Sequence, residues 1–128
     1  MKLLLDTHTF IWWDSEPAKL SSTVLSACRD RTNTLIFSVV SAWEMQIKFQ
    51  LGKLKLGLPL SEIVRGQQQA NNIEILPVTL DHVLMLQNLP SHHGDPFDRL
   101  LIAQANVEDA FLVSNDATFS DYPVKLLW

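Results

Sequence analysis

Cysteine is almost missing from this chain: Cys28 stands alone among 128 residues and cannot form an internal bridge. It reads as a small, buried apolar residue in a reducing cytosol, so a cytoplasmic location is expected. Positive charge is also scarce. The 10 Lys and Arg face 14 Asp and Glu, a net charge of −4, which argues against tight nonspecific binding of long duplexes. A nuclease stays open, because a bound metal supplies positive charge that composition omits. No apolar run approaches the length of a membrane helix. Asp6 and His8 interrupt the opening leucines before a signal-type run can form. His8, His92 and His93 lack the ligand spacing of structural zinc, and one cysteine cannot complete a set. Nor is there a Ser–His or Cys–His constellation for covalent catalysis.

With 47% apolar and 19% charged residues, the composition fits one globular domain spanning residues 1–128, with no repeat or linker. Lys2 to Leu5, Thr34 to Phe37, Ile73 to Leu76, Phe111 to Val113 and Val124 to Leu127 read as five strands, the last at an edge of the sheet. Helices are expected over Thr7 to Trp13, from Ser21 or Ser22 to about Asp30, from Ser38 to about Leu51, from Leu60 to about Ala70 with Ser61 as a cap, from Leu80 to Leu89, and from Pro96 to about Glu108. Glu16-Pro17, Gly52 and Pro90 supply stops. The polar run from Gln67 to Asn72 reads as a solvated helix end. The tryptophans at 12, 13, 43 and 128 could stack bases, but Trp43, Ile47 and Leu51 share one face at i, i+4 and i+8, and Trp43 is expected in the core. Strands alternating with helices over short links imply an α/β sandwich with a mainly parallel sheet. Ligands of such sheets sit beyond the carboxyl ends of the strands.

Four carboxylates follow apolar or helical runs there. Asp6 leaves the first strand directly, Glu44 lies early in the helix after the second, Asp98 opens a nearly all-apolar helix, and Asp116 follows the fourth strand. Each also has an ordinary role: Asp6, Asp95 and Asp116 suit helix caps, Glu44 suits an i, i+4 pair with Lys48, and Arg99 suits a surface salt bridge. Ser114 or Asn115 could hold a water or a phosphate oxygen, although Asn115 equally suits a turn. Together the acids point elsewhere. At roughly 5 Å and an effective dielectric of about 20, each like-charged pair repels by about 3 kcal/mol. A hard dication such as Mg²⁺ or Mn²⁺ removes that repulsion.

These motifs, in this order, resemble the PIN domain ribonucleases, specifically the VapC-type toxins of bacterial toxin–antitoxin pairs. Leu4-Leu5-Asp6-Thr7-His8 is similar to the family's opening motif, and Ser38 through Glu44 to the segment bearing its second acid. His93 to Ala105 resembles a subgroup signature around Asp95-Pro96-Phe97-Asp98-Arg99, and Val113 to Phe119 with Tyr122 resembles the closing motif. The resemblance implies a PIN-like three-layer sandwich of about five strands. It also implies metal-assisted hydrolysis of RNA by Asp6, Glu44, Asp98 and Asp116 around one or two Mg²⁺, with Mn²⁺ as a substitute. Asp95 sits in the same motif, and the sequence leaves open which of the two faces the metal; Asp98 is preferred because Asp95 suits the cap, and Asp95 stays an additional candidate. Ser114 occupies the place of a hydroxyl residue, a serine where the family usually has threonine. A small antitoxin inserting a basic side chain among the acids, and homodimerisation, are implied partners; the leucines at 54, 56, 58 and 60 could serve either surface or pack internally. Two rivals stand beside this reading. An aspartyl-phosphate phosphatase wants a second Asp where His8 stands, and a PIN-like binding module would use the acids only to dock a basic partner.

Overall fold

The structure, a computed structural model, describes residues 1–91 and 94–128; the expected loop and zinc candidates at His92 and His93 lie outside the described residues. Its centre is β1 (Lys2–Leu5), whose three leucines are fully buried. Alternation decides which way each points. Leu3 and Leu5 enter one core with Phe10, Val24, Leu35, Phe37 and Met45. Leu4 enters the other with Ile36, Val40, Leu101, Ile102 and Leu112. A strand with both faces covered reads as an unbroken apolar run, which is why Leu3-Leu4-Leu5 forms a central strand of a parallel sheet.

Around β1 lie β2 (Thr34–Ser38), β3 (Glu74–Leu76), β4 (Phe111–Val113) and β5 (Leu126–Leu127), in the order β3-β2-β1-β4-β5. All pairings are parallel, with Leu5 opposite Phe37 on one side and Val113 on the other. The helices are α1 (Thr7–Ser15), α2 (Ser22–Arg29), α3 (Val39–Gln50), α4 (Leu60–Asn71), α5 (Leu80–Met85) and α6 (Pro96–Val107). Phe10 of α1 stacks on Phe37 of β2 at 3.9 Å between centroids, and α6 lays Leu101, Ile102 and Ala105 on the opposite face. Helix α3 reaches both cores, Val40 into one and Met45 into the other. The result is the expected three-layer α/β sandwich. No described helix is long and apolar enough to cross a membrane.

Several local expectations need correction. Trp43 is not core: it is 61% exposed and Leu51 63%. Helix α3 buries Val40, Ser41, Glu44 and Met45 instead, because that is the face it docks against α1 and α6. Ser61 does not cap α4, whose N-cap is Pro59 without a side-chain bond. Helix α5 stops at Met85 and tightens into a 3₁₀ turn (Leu86–Asn88), since Leu89 precedes Pro90 and is extended. β5 is two residues long, Val124 being held in a turn by its N–H on the Tyr122 carbonyl. Gln67 is not a solvated helix end. It is buried, accepts from the Trp13 indole at 2.9 Å and donates to Asp14 at 3.0 Å. Of the four leucines, 54, 56 and 60 pack against the core and Leu58 is exposed.

Candidate metal and RNA-cleavage site

Parallel strands deliver all their carboxyl ends to one edge, and β1, β2 and β4 are neighbours. Asp6 is the first residue past β1. Its N–H donates to the Val113 carbonyl at 3.1 Å, and its buried carboxylate caps α1 by accepting from the Thr9 N–H at 2.8 Å. Thr9 reinforces the junction through its hydroxyl, which donates to Val113 at 3.0 Å. Glu44, on α3, is also buried. One of its oxygens accepts from the Thr7 hydroxyl at 2.6 Å and the other faces Lys48 Nζ at 3.2 Å. The Glu–Lys pair expected from spacing is therefore real, but its carboxylate faces inward, against the start of α1.

Helix α6 begins at an Asp95 cap, whose exposed carboxylate accepts from the Phe97 N–H at 2.8 Å. Asp98, one turn in, is half-buried. Asp116 is exposed and caps a 3₁₀ turn (Ala117–Asp121), accepting from the Thr118 N–H and hydroxyl at 3.0 and 2.8 Å. Ser114 is buried and its hydroxyl accepts from the Asp116 N–H at 3.0 Å, which ties that acid to the end of β4. Asn115 is exposed.

The electrostatics bring these acids together at Asp98. Burial, and then the charges of Asp95, Glu44, Asp116 and Asp6, raise its carboxyl from 3.8 to about 7. Desolvation and like charge both disfavour its ionised form. A carboxyl so placed suits a hard cation, and the donors are all oxygens, the ligands Mg²⁺ and Mn²⁺ prefer. Closed ligand geometry is another matter. Among the described residues, no three His, Cys, Asp or Glu side chains stand together in a metal-holding group. Asp6, Asp95 and Asp116 point at backbone N–H groups, and Glu44 is held by Thr7 and Lys48. Donor chemistry and field thus fit a dication, while the rotamers are those of caps and hydrogen-bonded pairs. One turn before Glu44, Ser41 Oγ is a buried polar atom with no hydrogen-bond partner among the described residues.

Beside the acids is a cleft of about 180 Å³ lined by Asp95, Asp98, Asp116, Arg99, Gly94 and Tyr122, among others. Arg99 makes no carboxylate salt bridge among the described residues, contrary to expectation. Its guanidinium donates to the Pro90 carbonyl at 2.8 Å and to the Tyr122 hydroxyl at 3.4 Å. Gly94 lies beneath it, where an added Cβ would come within 2.6 Å of Arg99 Cδ.

The sequence pattern of the PIN domain matches residues 3–125. The chain belongs to the PIN domain family. Ribonuclease VapC22 of Mycobacterium tuberculosis is 30% identical over 115 residues, covering 89% of this chain and 86% of the relative. The PIN fold is equally plain in solved structures. VapBC2 from Rickettsia felis, bound to a DNA fragment from its promoter, superposes with a TM-score of 0.75 at 18% identity, covering 100% of this chain and 98% of that one. DNA-bound VapBC from Salmonella typhimurium gives 0.69 at 14% identity, over 100% and 97%.

Two residues that contact the candidate acids escaped the sequence reading in that role. Thr7 orients Glu44 from 37 positions away, and its only signal was its place directly after Asp6. Lys48 was visible as a helix pair but not as a partner of a buried acid.

Proposed function

We propose that this chain is a metal-dependent endoribonuclease, the toxin of a type II toxin–antitoxin pair, acting as one PIN domain. The observation that carries the reading is the sheet order, which sends Asp6, the helix bearing Glu44 and the turn bearing Asp116 to one edge, where their charges also act on Asp98. Kinship with a protein named ribonuclease VapC22 gives that acidic centre its substrate class. Asp6, Glu44 and Asp98 would hold Mg²⁺ or Mn²⁺, and Asp116 would complete the set. When bound, the ion would activate water and offset charge on the phosphate. The chain's own contribution is to aim the acids: the Thr9 N–H fixes Asp6, while Thr7 and Lys48 fix the two oxygens of Glu44.

The solved VapBC structures belong to toxin–antitoxin systems, and a small antitoxin presenting a basic side chain to the acids is the proposed partner here. A second copy of the chain is a further proposed partner. The test is RNA cleavage by the purified chain with Mg²⁺ or Mn²⁺ against excess chelator, for the unaltered protein and Asp6→Asn. Asn retains a helix cap, so the variant is expected to fold and to lose cleavage. Equal cutting by both forms would overturn the assignment. Binding of a basic partner with no cleavage at any metal concentration would favour a docking module instead.

A further inference from the structure

Trp43 and Phe97 are the residues immediately before Glu44 and Asp98, and their rings meet edge to face at 4.9 Å between centroids. The pair therefore joins α3 to α6, the two helices that carry these acids, beside the acidic centre. The two rings play different parts. Phe97 is half-buried and packs against the core formed with Leu101, Ile102 and Leu112. Trp43 is 61% exposed and leans on Phe97. An indole of that exposure has most of its surface in water, an arrangement that burial alone does not favour. Its rigid neighbour holds it at low conformational cost.

We propose that Trp43, backed by Phe97, is a stacking platform for a base of single-stranded RNA adjoining the phosphate at the acids. The inference rests on the ribonuclease reading and adds to it how the substrate is gripped. Chemistry favours a base over a protein surface for three reasons. The ring touches Phe97, whose N–H is held by the Asp95 carboxylate at 2.8 Å, and Asp95 lines the cleft with Asp98 and Asp116, so a nucleotide whose phosphate reaches that cleft brings its own base or the next one toward the indole. The chain carries a net charge of −4, so it lacks a broad basic surface for gripping RNA by its backbone, and uncharged contacts must contribute. Every base has a π-face, so stacking suits an enzyme that holds single strands without reading a duplex.

The experiment measures binding of a short, mixed-sequence single-stranded RNA in an Asp6→Asn background, with cleavage by the Asp6-containing chain followed in parallel. Adding Trp43→Ala is expected to weaken binding roughly 5- to 150-fold, the range of a lost base stack, and Trp43→Phe to restore most of it. An abasic RNA of the same length should bind equally to the proteins with and without the Trp43→Ala substitution. In the cleaving chain, Trp43→Ala should raise KM far more than it lowers kcat. Unchanged RNA affinity in Trp43→Ala, with the parent still cutting RNA, would overturn the platform and leave the ribonuclease standing. A loss of affinity that accompanies dissociation of a dimer in sedimentation, before RNA is added, would also overturn it and assign Trp43 to a contact between copies. A parent that neither binds nor cuts RNA would sink both readings.

Discussion

Asp98 is a carboxyl whose surroundings work against its charge. In the folded chain it keeps its proton up to about pH 7, whereas an unfolded Asp loses it near 3.8. Between these values the folded form binds more protons than the unfolded form, so stability contributed by this group falls as pH rises through that window. Thermal melts in chelator should therefore show a Tm that declines from about pH 4 to about pH 7, and Asp98→Asn should flatten the decline and raise Tm at the upper end. A Tm indifferent to this substitution would show that the acids do not act on Asp98. Thr7 offers a second probe at this scale. Its hydroxyl donates to a buried carboxylate at 2.6 Å, and hydrogen bonds to charged groups contribute about 1.5–3 kcal/mol. Thr7→Val should lower stability by about that much and reduce RNA cleavage, while Thr7→Ser, which retains the donor, should recover cleavage. Activity assays beside denaturant melts would separate the two effects.

Among the elements, α3, α5 and α6 are tied by a polar network inside the second core. The Ser38 hydroxyl, at the start of α3, donates to Gln104 Oε1 on α6 at 2.5 Å. Gln104 Nε2 donates to the Pro77 carbonyl at 3.3 Å, and His82 of α5, fully buried, faces Glu108 at 2.9 Å. The Thr79 N–H donates to His82 Nδ1, which leaves Nε2 to donate to Glu108. Gln104→Leu fills similar space but removes the acceptor of the Ser38 hydroxyl, whose oxygen keeps only the Val40 N–H, and strands the Pro77 carbonyl, at about 1–3 kcal/mol for a group left unsatisfied. Urea melts should show that loss, and cleavage should fall further because α3 and α6 bear Glu44 and Asp98. None of this network was visible in the sequence, since its members are 66, 27 and 26 positions apart. The elements themselves were legible. Leu3-Leu4-Leu5, Asp95-Pro96 and Gly52 each act locally, as a buried strand, a helix start and a left-handed stop at φ +72°. Periodicity marked α3 as a helix but misassigned its inner face. Trp43, Ile47 and Leu51 align as well as Val40, Glu44 and Met45 do, and only docking on α1 and α6 chooses between them. Glu44 thus became buried where hydrophobicity alone would have placed Trp43.

At the scale of the whole molecule, the parallel sheet does what no single motif can. Its order puts β2, β1 and β4 side by side, so Asp6 and the helix bearing Glu44 emerge at the same edge as the turn bearing Asp116. The candidate quartet was legible as four separate carboxylates, and so were the caps of Asp6 and Asp116 and the Glu44–Lys48 pair; what spacing could not convey is the Thr7–Glu44 bond, made across 37 positions. A fold that gathers like charges is less stable without a counterion than with one. Any ion that binds the folded chain alone stabilises it by RT ln(1 + [L]/Kd), about 2.7 kcal/mol at a hundredfold excess over Kd. Melts against Mg²⁺ or Mn²⁺ should therefore show Tm rising steadily with metal. In Asp6→Asn and Glu44→Gln the rise should shrink or vanish, whereas a substitution at exposed Asp109, paired with Lys125 away from the acids, should leave it intact. A rise equal in all four proteins would mean that the dication acts by general screening, and the acids would then be caps and helix pairs alone.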